Sequence, residues 1–156
     1  MRIMSLLLSP VTADETESLV PFLRDADEDE ARIRAALQDT ANTNYVALVD
    51  NMVVGAATVH WEERESEIIY IAVAAGLRGR GYGKAIIEAL FREMRQRGVQ
   101  SLLVGTANSS LDNIAFYQKC GFRLDSVRRD YFEYIQPPIM EHGIPVRDML
   151  VMRYRQ

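Results

Sequence analysis

"IAVAAGLRGRGYGKAIIEAL", residues 71–90, starts as an apolar run and finishes as a helix. The joint between them interleaves Gly79, Gly81 and Gly83 with Arg78, Arg80 and Lys84. A helix N-terminus exposes N–H groups that have no acceptor inside the helix, and it stands at the positive end of the helix dipole. Such an end takes up phosphate. Glycines let the backbone approach an anion closely and adopt positive φ, and the basic side chains add charge at the rim. A glycine-rich turn on its own reads better as packing geometry with solvated arginines. Three cations at a strand–turn–helix junction shift the reading to an anion cradle.

Two phosphate-binding patterns fail here. A P-loop needs glycine five positions before Gly83 and Ser or Thr after the lysine; those positions hold Arg78 and Ala85. The dinucleotide fingerprint, counted from Gly79 and Gly81, needs glycine where Lys84 stands. What remains is Arg-x-x-Gly-x-Gly at Arg78, Gly81 and Gly83, directly after a strand.

On either side of this joint the periodicity supplies the rest of the fold. Residues 67–75 are almost continuously apolar, as in a strand covered on both faces, so this is the central strand. From about Gly81 to Arg97, Ile86, Leu90 and Met94 fall four apart, with Ile87 and Phe91 widening the stripe, and Gly98 provides the stop. Upstream, 44–50 and 52–61 are β-rich and meet at Asp50-Asn51, a hairpin signal. Residues 14–24 and 28–40 read as helices, the second opening on acids that suit the dipole. Residues 3–8 read as a first strand ending at Pro10. Downstream come a strand at 101–106, a helix at 110–119, a strand in "FRLDSVRRDYF", and a last strand in "VRDMLVMRY". The segment 136–145 reads as a loop because Pro137, Pro138 and Pro145 lack donors. This order predicts an α+β (three-layer α/β) domain over residues 1–156, with one principal sheet of about seven strands.

Composition excludes several functions. The chain has 156 residues, 48% hydrophobic and 26% charged, which suits one globular domain with a real core. A net charge of -4 argues against nucleic acid as a partner held by bulk charge. Cys120 is the only cysteine, so no intrachain disulfide forms, and His60 and His142 lack metal-site spacing. No run reaches transmembrane length. The start "MRIMSLLLSP" is too short and lacks the cleavage site of a signal peptide. The expectation is a cytoplasmic protein with no metal and no membrane partner.

The joint, taken with the strand before it, resembles the coenzyme A signature of the GCN5-related N-acetyltransferases, the GNAT superfamily: an apolar-Ala-Val-like strand end, a short turn, then Arg/Gln-x-x-Gly-x-Gly/Ala opening a helix. "NIAFYQKCGF", residues 113–122, is similar to a second family feature, aliphatic-x-aromatic-Tyr followed by polar residues and Gly-Phe. The resemblance covers nearly the whole chain. It implies a mixed, mostly antiparallel sheet with helices on both faces, and acetyl-CoA as co-substrate. It implies that backbone amides of Gly79, Gly81, Tyr82, Gly83 and Lys84 hold the diphosphate, with Arg78 and Arg80 beside them. The edge of the strand at Ile71, Ala72 and Val73 would hydrogen-bond the pantetheine arm like an added strand. A bulge in that strand, which the residue types do not mark, would open a slot for the thioester.

The resemblance also implies the reaction, transfer of acetyl to a primary amine by direct attack in a ternary complex. An amine with pKa about 10.4 is neutral in roughly one molecule in a few thousand at pH 7, so a base or water relay helps. A backbone N–H near Val73 would meet the oxyanion. Tyr117, at the family's tyrosine position, is the candidate acid for the leaving thiolate; the alternative is that it only packs α-helix on sheet. Glu67, eleven residues before Arg78 and similar in spacing to a glutamate of histone-acetylating members, is the candidate base; it reads equally well as an exposed glutamate at a strand start, with Tyr70 and His60 as alternative bases and Glu141 and His142 behind them. The family's asparagine, seven residues before the tyrosine, is Ser110 here; Asn108 is expected in its place at the cofactor, with Asn113 as the other asparagine nearby. Cys120 reads as a small buried filler.

Acceptor sites in the family come from the first two helices and the link between the last two strands. That link, residues 130–149, carries Tyr131, Phe132 and Tyr134. They form either an aromatic wall over an acceptor or dimer partner, or a hydrophobic hairpin closing the core. The acidic run 25–30 reads as a solvated helix start rather than as a lure for a cationic amine. The acceptor is expected to be a small-molecule or peptide amine, and a homodimer is compatible with the sequence. A non-catalytic acyl-CoA-binding module is the competing function. A nucleotide-phosphate binder outside the family is a third.

Overall fold

The computed structural model of the protein describes residues 5–156. The first strand, expected over 3–8, has residues 3 and 4 outside the described ones; β1 runs Leu7–Pro10, starting later than expected because Ser5 and Leu6 are not in a strand. A 3-10 stretch, Ala13–Leu19, leads into the short helix α1 (Val20–Leu23), where one helix over 14–24 was expected. Helix α2 (Glu30–Gln38) is N-capped by Asp29, whose carboxylate accepts from Ala31 N at 2.9 Å. Strands β2 (Asn42–Val49) and β3 (Met52–His60) meet at Asp50 and Asn51, both at positive φ (50° and 63°), the hairpin expected from that dipeptide. Then come β4 (Glu65–Val73), α3 (Tyr82–Gln96), β5 (Ser101–Ala107), α4 (Leu111–Lys119) and β6 (Arg123–Arg128). Two-residue strands β7 (Met140–Glu141) and β8 (Ile144–Pro145) precede the last strand, β9 (Met149–Arg155).

The β7–β8 hairpin corrects the expected loop over 136–145. Pro137 and Pro138 fall before it and Pro145 ends it, so no ladder donor is missed. His142 and Gly143, at φ 53° and 74°, make its tight turn.

Seven strands form one sheet in the order β1-β2-β3-β4-β5-β9-β6, with β4 at its centre. Every neighbouring pair is antiparallel except β4 with β5. Two cores lie on its two faces. Ile86, Leu90 and Met94 of α3 pack with Val54, Val59, Ile68, Leu102, Val104 and Phe122 on one. Leu23 of α1 and Ile33 and Leu37 of α2 pack with Ala56, Tyr70 and Ala72 on the other.

β4 belongs to both cores, and it changes phase part-way along. Ile68 lies in the α3 core, Ile69 and Tyr70 both pack into the α2 core, and Ile71 returns to the first. The pairing with β3 shows why: Val59 faces Ile68 and Thr58 faces Tyr70, leaving Ile69 as one extra residue. This is a β-bulge, which bends a strand and re-aims the residues beyond it. The parallel pairing with β5 stops at the same level, Ile68 with Val104. Beyond that point β4 stays with β3 while β5 goes on with β9. The two central strands part, and β4 has an unpaired edge over Ile69–Val73.

Candidate active site

The joint after β4 is built as the glycines demand. Leu77 N closes a turn on Ala74 O at 3.0 Å, and the first rung of α3 is Ala85 N to Gly81 O at 3.1 Å. Gly79 and Gly81 sit at φ 75° and 86°, where a Cβ is strained, and Gly81 is the N-cap of α3. The amides of Gly79, Gly81, Tyr82, Gly83 and Lys84 donate to no described residue. They stand at the positive end of a 15-residue helix. Arg80 and Lys84 are exposed beside them, whereas Arg78 pairs with Asp25 and so ties the joint to the turn after α1. A Cβ on Gly83 would lie 3.2 Å from Phe116 Cζ and 3.7 Å from Val73 Cγ2. The third glycine is therefore where α3, β4 and α4 meet.

Ile71, Ala72 and Val73 lie on the unpaired reach of β4, next to this cradle. Tyr117 comes from α4, its ring packed against Phe116 (5.2 Å) and Phe122 (5.8 Å) and only 6% exposed. Its hydroxyl makes no hydrogen bond to a described residue. Burial first, and the neighbouring Cys120 second, push the phenol well above its ordinary range and tighten its hold on the proton. Cys120 is half-buried at the margin of the core, and burial pushes its thiol up as well, which fits a filler.

Glu67 neighbours Ile68, which points into the α3 core, so its side chain turns to the opposite face. There Arg128 holds it with both prongs of the guanidinium, NH1 to Oε1 at 2.9 Å and NH2 to Oε2 at 3.2 Å. The side chains stay 26% and 38% exposed. His60 is the register partner of Glu67, but its ring nitrogens already face Asn42 Oδ1 (3.2 Å) and Glu62 Oε1 (2.9 Å). Tyr70 is a donor rather than a base: its hydroxyl gives a 2.6 Å bond to Asp27, and burial together with that carboxylate pushes the phenol up. Sixty-one positions separate Arg128 from Glu67, and nothing in the sequence links them.

Asp25 and Glu28 are exposed and Asp29 caps α2, as expected of a solvated helix start, but Asp27 departs from that expectation. Its side chain is 6% exposed. It accepts from Tyr70 Oη, from Asp29 N (2.9 Å), from Arg32 Nε (3.3 Å) and from Tyr134 Oη (3.4 Å). A carboxylate withdrawn from water needs such donors, and here they converge from the start of α2, from β4 and from the link. Arg32 also stacks on Tyr134 at 4.2 Å and reaches Tyr131 Oη at 3.3 Å. Tyr131, Phe132 and Tyr134 belong to neither core; they pack on one another and on Arg32, as a wall does.

The tip of β5 grips the far end of the same link. Asn108 Oδ1 accepts from Arg147 N and Asp148 N at 3.0 Å, and its Nδ2 donates to Pro145 O at 3.2 Å. Ser109 and Ser110 donate to Glu141 at 3.2 and 3.1 Å. Asn113 reaches Thr106 Oγ1 at 3.5 Å. Asn108, expected at the cofactor, thus points its carboxamide at the link, and Glu141 is engaged by the two serines. His142 is exposed on the β7–β8 turn. Among the described residues no acidic, histidine or cysteine group has the makings of a metal site, and no helix is long and apolar enough to cross a membrane.

The chain is similar to known proteins. Residues 9–122 match the Acetyltransferase (GNAT) family. An uncharacterized N-acetyltransferase of Bacillus subtilis, YvbK, is 36% identical over 85 residues, 54% of this chain and 55% of that protein. The ribosomal protein bS18-alanine N-acetyltransferase of Escherichia coli is 34% identical over 68 residues, 44% of this chain and 46% of its own. The chain thus spans about half the length of these curated relatives. Solved structures align over far more. An IAA acetyltransferase from Bacillus cereus superposes with TM-score 0.85 and 32% identity, over 97% of this chain and 100% of its own. A GNAT family acetyltransferase from Elizabethkingia anophelis with acetyl-CoA bound gives 0.87 and 29%, over 97% and 98%.

Proposed function

The chain belongs to the GNAT family of acetyltransferases, and from that premise we propose that it is a single-domain N-acetyltransferase that moves acetyl from acetyl-CoA to a primary amine. The observation that carries this reading is the set of five amides, Gly79, Gly81, Tyr82, Gly83 and Lys84, that find no protein acceptor at the start of α3. They hold the diphosphate of CoA, with Arg80 and Lys84 at the rim and Arg78 fixing the joint through Asp25. The pantetheine arm lies along the free edge of β4 at Ile71, Ala72 and Val73, taking the place that β5 vacates beyond Val104. Asn108 steadies the link from the opposite side of the slot, with one amide hydrogen left over for a ligand.

The chemistry runs in one ternary complex. The amine nitrogen attacks the thioester carbonyl carbon; a C–N bond forms and the C–S bond breaks. The ammonium must first lose its proton, and Glu67, directly or through water, takes it. The sulfur leaves as thiolate and takes the proton of Tyr117, and the second proton that the nitrogen sheds on becoming an amide restores the phenol. The backbone N–H near Val73 meets the oxyanion. The acceptor enters from the α2 face, between the Asp27–Arg32 cluster and the aromatic wall.

The test is calorimetric titration with CoA, acetyl-CoA and ATP, together with thiol release from acetyl-CoA over an amine panel. CoA heat in large excess over ATP heat, with thiol release that depends on amine, is expected. Binding without release on any amine would favour a non-catalytic module, and no CoA binding would end the reading.

A further inference from the structure

We propose that the acceptor is an α-amino acid-like zwitterion, its ammonium going to Glu67 and its carboxylate to Arg128. The inference rests on the acetyltransferase reading above and names its substrate class.

Arg128 does not reach Glu67 by chance. It lies on β6, separated from β4 in the sheet by β9 and β5. Its guanidinium passes over Met149, with NH1 3.7 Å from Sδ. Met149 in turn sits on Gly105 of β5, where a Cβ would come within 2.3 Å of that sulfur. The missing side chain lets Met149 sink and so opens the path for the arginine. Neither partner of the ion pair is sealed, since 26% and 38% of the two side chains remain exposed. The pair lies at the level where β4 and β5 separate, Glu67 being next to the last paired residue, Ile68.

Charge decides what can bind there. Glu67 and Arg128 together are neutral. A plain ammonium would have to compete with the guanidinium for both carboxylate oxygens, and it would leave the site with an extra positive charge in a half-buried place. A zwitterion brings no net charge. Its carboxylate offers the planar, two-oxygen geometry that the guanidinium fork now finds in Glu67. Glu67 is then released toward the ammonium and free to accept its proton. Because the two protein groups touch, the ligand's charges must also stand side by side, as on a single α-carbon.

The experiment compares L-phenylalanine with L-phenylalaninamide as acceptors, reading kcat/KM by thiol release. The amide's amine, near the ordinary α-amino pKa of about 8, is the more often neutral of the two at pH 7.5. Basicity alone therefore favours the amide, and a preference for the free acid cannot come from it. Wild-type protein is expected to prefer the acid by about tenfold or more, the size of a charge-assisted bidentate contact. Arg128→Gln is expected to bring that ratio to about one, and Arg128→Lys, which keeps the charge without the fork, to an intermediate value. Unchanged CoA heat and melting temperature identify folded variants. Calorimetric titration of the same two compounds into CoA-saturated protein reads the preference without turnover. Equal use of the two acceptors, preference for the amide, or a ratio untouched by Arg128→Gln in folded protein overturns the inference while leaving the acetyltransferase standing. Absence of CoA binding instead overturns the reading beneath it.

Discussion

The two ends of the proposed site are finished in opposite ways. At the start of α3 the donors are spare: five amides without protein acceptors, flanked by exposed Arg80 and Lys84. On the α2 face nothing is spare. Asp27 accepts from four donors, Arg32 is stacked and paired, and Glu67 is held by Arg128. A site with open donors is ready for its ligand and needs no rearrangement. A site whose charges already satisfy one another binds only what can replace those contacts, so its selectivity comes from exchange. The first suits a carrier that never changes; the second suits an acceptor that must be told from other amines.

This contrast can be broken at the open end first. Gly83→Leu places a side chain against Phe116 and Val73, at the meeting of α3, α4 and β4. Acetyl-CoA affinity by calorimetry is expected to fall about 10²–10³-fold, roughly 3–4 kcal/mol. Affinity within a few-fold of wild type would mean that the diphosphate is held elsewhere. Tyr117→Phe tests the slot between the ends. It keeps the ring in its aromatic nest and removes only the hydroxyl, so kcat is expected to drop about 10²-fold, with acetyl-CoA affinity nearly unchanged. An unchanged kcat would reduce Tyr117 to packing. The smallest effect belongs to the closed end. Asp27→Asn keeps the shape but weakens the bonds to Arg32 and both tyrosines, and is expected to cost about 1–3 kcal/mol in urea unfolding. CoA binding should not move. A loss of CoA affinity as large as that of Gly83→Leu would show that the two ends are one unit.

The open end was legible in the sequence and the closed end largely was not, for physical reasons. Gly79 and Gly81 declare themselves because few other residues tolerate positive φ, and α3 declares itself through the spacing of Ile86, Leu90 and Met94. Tyr117 stands out in the sequence by its flanking pattern, while its burial suits packing and the proposed acid role alike. The bulge at Ile69 left no trace, since residues 68–71 are apolar and aromatic throughout and alternation cannot be read among like side chains. Asp27 was hidden in a run of acids that reads as solvated; only the fold brings Tyr70, Arg32 and Tyr134 to it. The same holds for Arg128 and Glu67. Asn108 was assigned by its distance from Tyr117, but distance along the chain says nothing of the loop that claims its carboxamide. In β7–β8 the prolines outweighed the signal of a two-residue turn at His142-Gly143.

One inserted residue in β4 fixes more than a local kink. Because Ile69 and Tyr70 share a side, everything before them and everything after them is out of step by one. Glu67 looks toward the side of the sheet that α2 covers, while Val73, at the far end, looks toward α4 and the glycine joint. The eleven steps from Glu67 to Arg78 therefore work as a ruler. Helices can lengthen and the link can drift in composition, but removing a single residue from this strand would exchange the walls of the cleft and leave each reactant facing the other's lining.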